Sequence, residues 1–374
     1  MKLHITDTET TENKADVKKK KEALPMTLKD WEVWCQENDE KSYRAEQIFR
    51  GIYSGRAVSF DQIATIPTYL RAKLDDEFTL RTFKSAKKQV SIDGSVKFLF
   101  TLEDGKAVES VFMPWHEENP DRPVRTTLCI SSQIGCAVDC AFCATGKMGF
   151  GRNMTAGEII EQVLEAESQL GEKVTNLVFM GMGEPLLNHR AVFKSIELFT
   201  NTLSTVVYPK KITVSTSGIT KNIDRMVALP RNVKLAVSLH ATTNGVRDKI
   251  MPINQKADIG TIMDAVENYY RSTKLAVTYE YIPFAGLNDT KEDAKRLAKI
   301  CKRVPSRVNI IPFNDISFTG PTGFAAELKP SSKKRIYEFA NEVRSFGGVV
   351  TIRDTFGSDI DAACGQLALS ERTS

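Results

Sequence analysis

Four of the seven cysteines in this chain, Cys129, Cys136, Cys140 and Cys143, fall within residues 126–151, TTLCISSQIGCAVDCAFCATGKMGFG. The last three form C-x3-C-x2-C, and three thiolates at that spacing can ligate three corners of a cubane [4Fe-4S] cluster, leaving the fourth iron open. Such a cluster is both Lewis acid and electron donor, while the protein around it supplies orientation and dryness. Other uses of cysteine compete. A structural zinc site usually takes two separated Cys pairs that close a tetrahedron, and here the partners of the C-x2-C pair lie on one side of it. A disulfide framework suits short secreted chains, whereas this one is long, cysteine-poor elsewhere and begins without the apolar core of a signal peptide.

Further polar clusters stand where strands should end. In MGMGEP, residues 180–185, Gly183 lets backbone approach a ligand and Glu184 can accept hydrogen bonds from an ammonium group; a tight turn is the plainer reading. Ser215 in Ser215-Thr216-Ser217-Gly218 reads as a cap or turn residue, His240 in Ser238-Leu239-His240 as a satisfied histidine, and Asn314 in IPFN as a loop amide. Cys364, among alanines and glycine in GSDIDAACGQL, reads as a small core residue whose acidic neighbours Asp359 and Asp361 would raise its pKa. Glu109 reads as a solvated residue on the polar face of a hairpin.

The motif C-x3-C-x-F-C, with Phe142 before the last cysteine, is similar to the signature of the radical S-adenosylmethionine (SAM) superfamily. That resemblance implies that the amino and carboxylate groups of SAM chelate the open iron and that an electron from the cluster cleaves the sulfonium to a 5′-deoxyadenosyl radical. It also assigns Gly183 and Glu184 to a Gly-Glu element after the second strand. From about residue 27 to 367 the chain resembles the dual-specificity ribosomal RNA and transfer RNA adenine carbon-2 methyltransferases, with TLCISSQIGC, CAFCATG, FMGMGEPLLN, STSG, SLHA, RDKIMPIN, IPFN and DIDAACGQL in family order. This implies two SAM molecules per turnover and SAM contacts from Gly183, Glu184, Ser215, Ser238, Leu239, His240 and Asn314. Carbon 2 of adenine is electron-poor, so polar attack on a sulfonium methyl is closed to it. By resemblance Cys364 is methylated by one SAM and the radical from the second takes hydrogen from that methyl. The resulting methylene radical adds to the ring, Glu109 removes a proton, and Cys129 releases the RNA by attacking the sulfur of Cys364, leaving a disulfide. The sister group that methylates carbon 8 of the same ribosomal adenosine is the rival, and Pro185 after MGMGE favours carbon 2. A non-catalytic, zinc-stabilised RNA-binding module is the rival from another class.

The elements that must position these residues follow from periodicity. Residues 1–25 are polar and include a lysine run at 18–21, which reads as a disordered tail. From 26 to 85 apolar residues recur at helical spacing, predicting a small accessory domain with Thr27 and Ser59 as N-caps and Gly51, Gly55 and Pro67 as punctuation. Cys35 belongs to its apolar stripe. Residues 86–125 predict a β-hairpin, 96–102 and 107–113 about an Asp-Gly turn, and then a connector, 114–125, long enough to obscure where Glu109 lies relative to Cys129. From 126 to 370, strands near 174–180, 211–215, 233–239, 276–282, 308–311 and 349–352 alternate with helices at 156–170, 192–200, 262–270, 291–301 and 333–344. That alternation predicts an α/β fold, a partial (β/α) barrel of parallel strands with active residues at their carboxyl ends.

With 374 residues, 41% hydrophobic and 26% charged, the chain can bury a large core. No run of about eighteen apolar residues occurs, so no membrane span is expected. A net charge of +4 permits an RNA partner without demanding one. The expected setting is a reducing cytoplasm; the family resemblance implies 23S ribosomal RNA and transfer RNA as substrates, with flavodoxin or ferredoxin as the expected electron donor and a monomeric protein.

Overall fold

The computed structural model describes residues 20–115 and 125–369. Most of the expected tail, 1–19, and most of the connector, 116–124, lie outside the described residues. The end of the tail is a correction. Lys21–Glu22 (β1) pairs in parallel with Phe78–Thr79 (β2), and Ala23 and Leu24 are buried. Two apolar residues behind a lysine run carry no periodicity, so the sequence conceals this anchor.

Between β1 and β2 lie the helices Leu28–Glu37 (α1), Tyr43–Tyr53 (α2) and Thr68–Glu77 (α3). Thr27 caps α1 in a reciprocal box with Asp30, whose N–H donates to Thr27 Oγ1 at 3.1 Å. Ser59 heads only a single turn, Phe60–Gln62, and makes no cap bond; α3 begins after Pro67. Gly51 lies inside α2 rather than ending it, and the packing explains the residue type, since a Cβ there would meet Ile63 Cγ2 at 2.5 Å. Cys35 is buried as expected, and burial pushes its thiol up to about 11.

Ser85–Val90 (β3), Val96–Thr101 (β4) and Ala107–Trp115 (β5) form an antiparallel meander, so the expected hairpin has a third strand. It is no separate connector, since β5 continues antiparallel onto Arg125–Cys129 (β6), with Val111 opposite Cys129. The strand β3, SAKKQV, is polar and mostly exposed, which hid it from a reading based on apolar alternation. The register of β5 against β6 places Glu109 on the face of Val111 and Cys129, because strand side chains alternate with period two.

After β6, Gln133–Gly135 (β7) and Phe150–Asn153 (β8) pair with each other and enclose a short helix, Ala144–Lys147 (α4). Alternation then sets in: Ala156–Leu170 (α5), Asn176–Phe179 (β9), His189–Phe199 (α6), Ile212–Thr216 (β10), Thr220–Met226 (α7) and Lys234–Ser238 (β11). Asn244–Ile250 (α8) and Ile259–Thr273 (α9) lead to Val277–Tyr281 (β12), and Lys291–Cys301 (α10) to Ser306–Ile310 (β13). Phe324–Glu327 (α11) and Lys333–Ser345 (α12) precede Val350–Ile352 (β14). Capping boxes start α5 at Thr155 and Glu158 and α10 at Thr290 and Asp293.

The main sheet runs β14-β13-β12-β11-β10-β9-β6-β5-β4-β3, parallel from β14 to β6 and antiparallel beyond. Trp115 at the end of β5 meets Phe356 just after β14, with ring centroids 5.9 Å apart, so the parallel run curls until its ends approach, as an open barrel does. One hydrophobic cluster runs from Trp31 and Phe49 in the helical segment through Phe98, Leu177 and Leu235 to Phe339, so that segment and the sheet share a core. Among the described residues, no helix is long and apolar enough to cross a membrane.

Candidate active site

The cysteine loop is shaped before any ligand enters. The pair β7 and β8 closes its base, with the Cys136 N–H donating to Gly149 O at 2.9 Å. Gly135 has φ +70°, and a Cβ there would stand 1.8 Å from Gly149 O, so only glycine fits. Across the loop, Gly146 brings its backbone to within a side chain's width of Asp139 and Cys140.

Cys136, Cys140 and Cys143 all line one cavity of about 150 Å³. The aromatic Phe142 lines the cavity too and belongs to a second apolar cluster with Ile250, Met251, Ile282 and Phe284, against which Cys140 and Cys143 pack. Burial pushes Cys136 up to about 12 and Cys140 well above the usual thiol range, so neutral thiols are favoured until a cation arrives. This donor set, three soft ligands in a dry wall, fits an iron–sulfur cluster. Among the described residues no three Cys, His, Asp or Glu side chains converge on one point to hold a single ion. A cubane does not ask that of them, since each thiolate binds a different iron.

The opposite wall comes from the carboxyl ends of β9, β10 and β11. Gly183 has φ +97° and lies so close to Gln133 that a Cβ would meet its Cβ at 2.5 Å. The buried carboxylate of Glu184 accepts from Thr216 Oγ1 at 2.8 Å and Leu186 N at 2.9 Å on one oxygen and from Ser217 N at 2.6 Å on the other. Burial raises its pKa, and the Ser217 and Thr216 donors oppose that rise. A carboxylate offers about four acceptor positions, so one remains for a donor in the cavity. Ser215 and Ser238 face each other with hydroxyls 3.4 Å apart. His240, at φ 52°, accepts from Ile282 N at Nδ1 (3.1 Å) and packs edge-on to Phe142. Burial, with Arg247 nearby, lowers its pKa to about 3, so the ring is neutral and Nε2 carries the proton. Glu280, also on the wall, keeps Oε1 on Asn309 Nδ2 at 3.1 Å, while its buried Oε2 has no hydrogen-bond partner among the described residues and is open to a polar ligand.

Cys364 is exposed, contrary to a core assignment, because its segment arches over the site. Gly365 O accepts from Ala144 N at 2.7 Å and Leu367 O from Thr145 Oγ1 at 2.6 Å, tying that segment to α4. From below, Asp93 Oδ2 accepts from Gly357 N at 2.7 Å, and Asp359 accepts from Ser91 Oγ and Ile92 N, so the β3–β4 turn grips it too. Cys364 lines the cluster cavity and a second, smaller one whose wall includes Cys129, Asn314 and Arg353. Burial pushes Cys129 up to about 12, with the Cys364 sulfur adding to the rise and Arg353 opposing it. Surrounding protein likewise raises Cys364, against the pull of Arg353.

Of the residues singled out from sequence, the three cluster cysteines, Gly183, Glu184, Ser215, Ser238, His240 and Cys364 meet in one cavity. Asn314 stands instead with Cys129, its Nδ2 donating to Cys364 O at 3.0 Å. Leu239 is fully buried and reaches neither wall. Glu109 is buried rather than solvated, paired with Lys97 at 3.3 Å and accepting from Leu369 N at 3.0 Å, and it also stands off both walls. Burial raises its carboxyl, with Lys97 opposing. Sequence reasoning missed Arg247, fully buried, which donates to the carbonyls of Leu239, Ser217 and Ser238 and so ties the ends of β10 and β11. Burial lowers its pKa to about 10. An arginine inside RDKIMPIN, a few residues beyond a strand end, was the available signal.

Comparisons with known proteins bear on this geometry. The radical SAM superfamily model matches residues 130–299, and a ribosomal RNA large subunit methyltransferase N-terminal domain model matches 22–80. The chain is 43% identical over 333 residues to a probable dual-specificity RNA methyltransferase RlmN from Thermotoga neapolitana, covering 89% of this chain and 93% of that one. It is 40% identical over 337 residues to the dual-specificity RNA methyltransferase RlmN of Anaeromyxobacter sp., covering 88% and 85%. Its structure resembles that of a radical SAM methyltransferase from Sphaerobacter thermophilus, with TM-score 0.84 and 37% identity over 93% of this chain and 99% of that one.

Proposed function

The chain belongs to the RlmN family of dual-specificity RNA methyltransferases, within the radical SAM superfamily, and from that premise we propose how its residues divide the work. It is a radical SAM RNA methyltransferase. Its reaction is methylation of carbon 2 of adenosine, in the peptidyl transferase region of 23S ribosomal RNA and next to the anticodon in transfer RNA. The supporting observation is the position of Cys364 on the wall shared by two cavities, one with the cluster thiols and Glu184, the other with Cys129. A methyl carrier must meet SAM on one side and a releasing thiol on the other.

Cys136, Cys140 and Cys143 hold the [4Fe-4S] cluster, which when bound supplies the electron that cleaves SAM. Glu184 receives the ammonium of SAM, Ser215 and Ser238 offer hydroxyls, and His240 donates from Nε2. Cys364 carries the methyl group from a first SAM as a thioether, and a second SAM serves its activation. Asn314 fixes the Cys364 carbonyl and so the direction of its sulfur. The radical adduct must lose both its carbon 2 proton and its unpaired electron: Glu109 accepts the proton, its raised carboxyl suiting a base once the Leu369 N–H moves off it, and the electron would return to the cluster that had supplied one to SAM. Cys129 then attacks the sulfur of Cys364. An S–S bond forms and the S–C bond to RNA breaks, leaving its electron pair on the exocyclic carbon, which takes a proton to become the methyl group. Two electrons reset the disulfide. Flavodoxin or ferredoxin in a reducing cytoplasm suits the cluster's electron demand, and the protein acts as a monomer. Mass spectrometry of ribosomal and transfer RNA from cells with and without the gene tests the reading. Gene-dependent 2-methyladenosine in both RNAs is expected; 8-methyladenosine, or a product in one class alone, overturns it.

A further inference from the structure

Below the reactive sulfurs the open barrel is not filled with apolar side chains. Inward-facing positions on the parallel strands, counted by period two, enclose a cavity of about 380 Å³. Its amino-terminal end carries Lys234, Arg307 and Arg125, and threonine hydroxyls stand between them. Lys234 and Arg307 have no carboxylate partner among the described residues. The pKa of Lys234 is lowered by burial and then by Lys211, Arg125 and Arg307, so like charges gather at this end. The carboxylates on the wall, Glu280 and Asp354, lie towards the other end, next to Arg353. Met180 and Glu280 line both this bore and the cluster cavity, so the two adjoin across these side chains.

We propose that the lower bore, through Lys234 and Arg307, binds a phosphodiester of the substrate RNA one or two nucleotides from the reacting adenosine. The inference rests on the RNA methyltransferase reading and deepens it. A concave, polar site in which Lys234 and Arg307 lack a carboxylate partner among the described residues favours an anion, and a phosphate held by cations in a low-dielectric wall releases condensed counter-ions. Lys234 opens β11 and Ser238 ends it, so the cations begin about 13 Å below the site at strand spacing, and their long side chains shorten that gap. A phosphate fixed there while a base reaches Cys364 sets the register of the strand.

The test is a binding cycle on the cluster-loaded full-length protein. A short RNA containing the target adenosine is made with a neutral methylphosphonate at each neighbouring linkage in turn, and its affinity is measured for wild type and for the double variant Lys234→Gln, Arg307→Gln. The variant should bind unmodified RNA about tenfold more weakly and lower the slope of log K against log salt by about 0.7–0.9 per phosphate lost. One methylphosphonate should weaken wild type similarly and leave the variant unaffected, and the variant's KM should rise far more than its kcat falls. Equal affinity and slope in wild type and variant overturn the proposal, as does simple additivity of linkage and variant at every position. A variant that binds RNA normally but loses inhibition by inorganic phosphate also overturns it, assigning the bore to free phosphate. Unchanged iron content and melting temperature exclude misfolding. Failure of the methyltransferase reading would appear separately, as wild-type protein that binds RNA and makes no methylated adenosine.

Discussion

At the residue scale, Cys129 is where two roles part. It lies seven residues before the first cluster cysteine, yet the fold puts it on a strand, opposite Val111, in the wall of the smaller cavity. Cys129→Ala should therefore retain iron and still methylate Cys364, then accumulate RNA bound covalently through Cys364, because no thiol remains to attack its sulfur. Peptide mass spectrometry after nuclease digestion checks this, with the Cys129→Ala, Cys364→Ala double mutant as control; iron loss, or turnover without adduct, refutes it. Glu280 gives a pH-dependent prediction. Burial holds its folded pKa above the unfolded value, so its contribution to stability is fully present in acid and is lost as pH rises through the folded value. Glu280→Gln keeps the Asn309 bond and removes the ionisation. The variant should melt above wild type at pH 8, by a margin that shrinks towards pH 5; a constant margin would refute the assignment. Which residues were legible follows the same physics. The cluster cysteines and Glu184 announce themselves by spacing and by an adjacent glycine. Glu109 does not, because its burial depends on a lysine on the next strand and on the chain's last described residues.

At the element scale, the parallel strands β9 to β14 were legible because strands covered on both faces read as short apolar runs, and the start of α1 because Thr27 stands before its apolar stripe as an N-cap. The strands β3, β7 and β8 were not, being polar or very short, and they frame the site: β7 and β8 close the cluster loop, and the turn after β3 grips the Cys364 segment. Gly183 shows how far one turn depends on its glycine. Gly183→Ala must relieve both a positive φ and a 2.5 Å approach to Gln133, whose side chain also accepts the Glu184 N–H. A loss of about 1–3 kcal/mol in stability is expected, with SAM affinity falling as Glu184 shifts. Urea unfolding and SAM titration measure the two, and wild-type SAM affinity in the variant would show that the turn does not orient Glu184.

At the scale of the whole molecule, the helical segment and the barrel behave as one unit. Their joint is polar as well as apolar. Glu161 on α5 accepts from the N–H groups of Thr82 and Phe83 and from the Thr82 hydroxyl, all within 3.0 Å, at the point where the chain leaves the helical segment. Arg56, between α2 and α3, pairs with buried Glu167 on the same helix. Glu161→Ala leaves two backbone donors half-buried without acceptors, each costing about 1–3 kcal/mol, so a loss of roughly 2–6 kcal/mol is expected. Because the apolar core is continuous from Trp31 to Phe339, that loss should move the whole unfolding transition rather than detach the helices first. Two of the three tryptophans, Trp31 and Trp34, lie in α1, so fluorescence reports chiefly on the helical segment while circular dichroism reports on all elements. In urea the two signals should coincide in wild type and shift together in Glu161→Ala. A fluorescence transition that precedes the dichroism change in the variant would mean that Glu161 holds together two separately folding bodies, and the shared core would then contribute less than its extent implies.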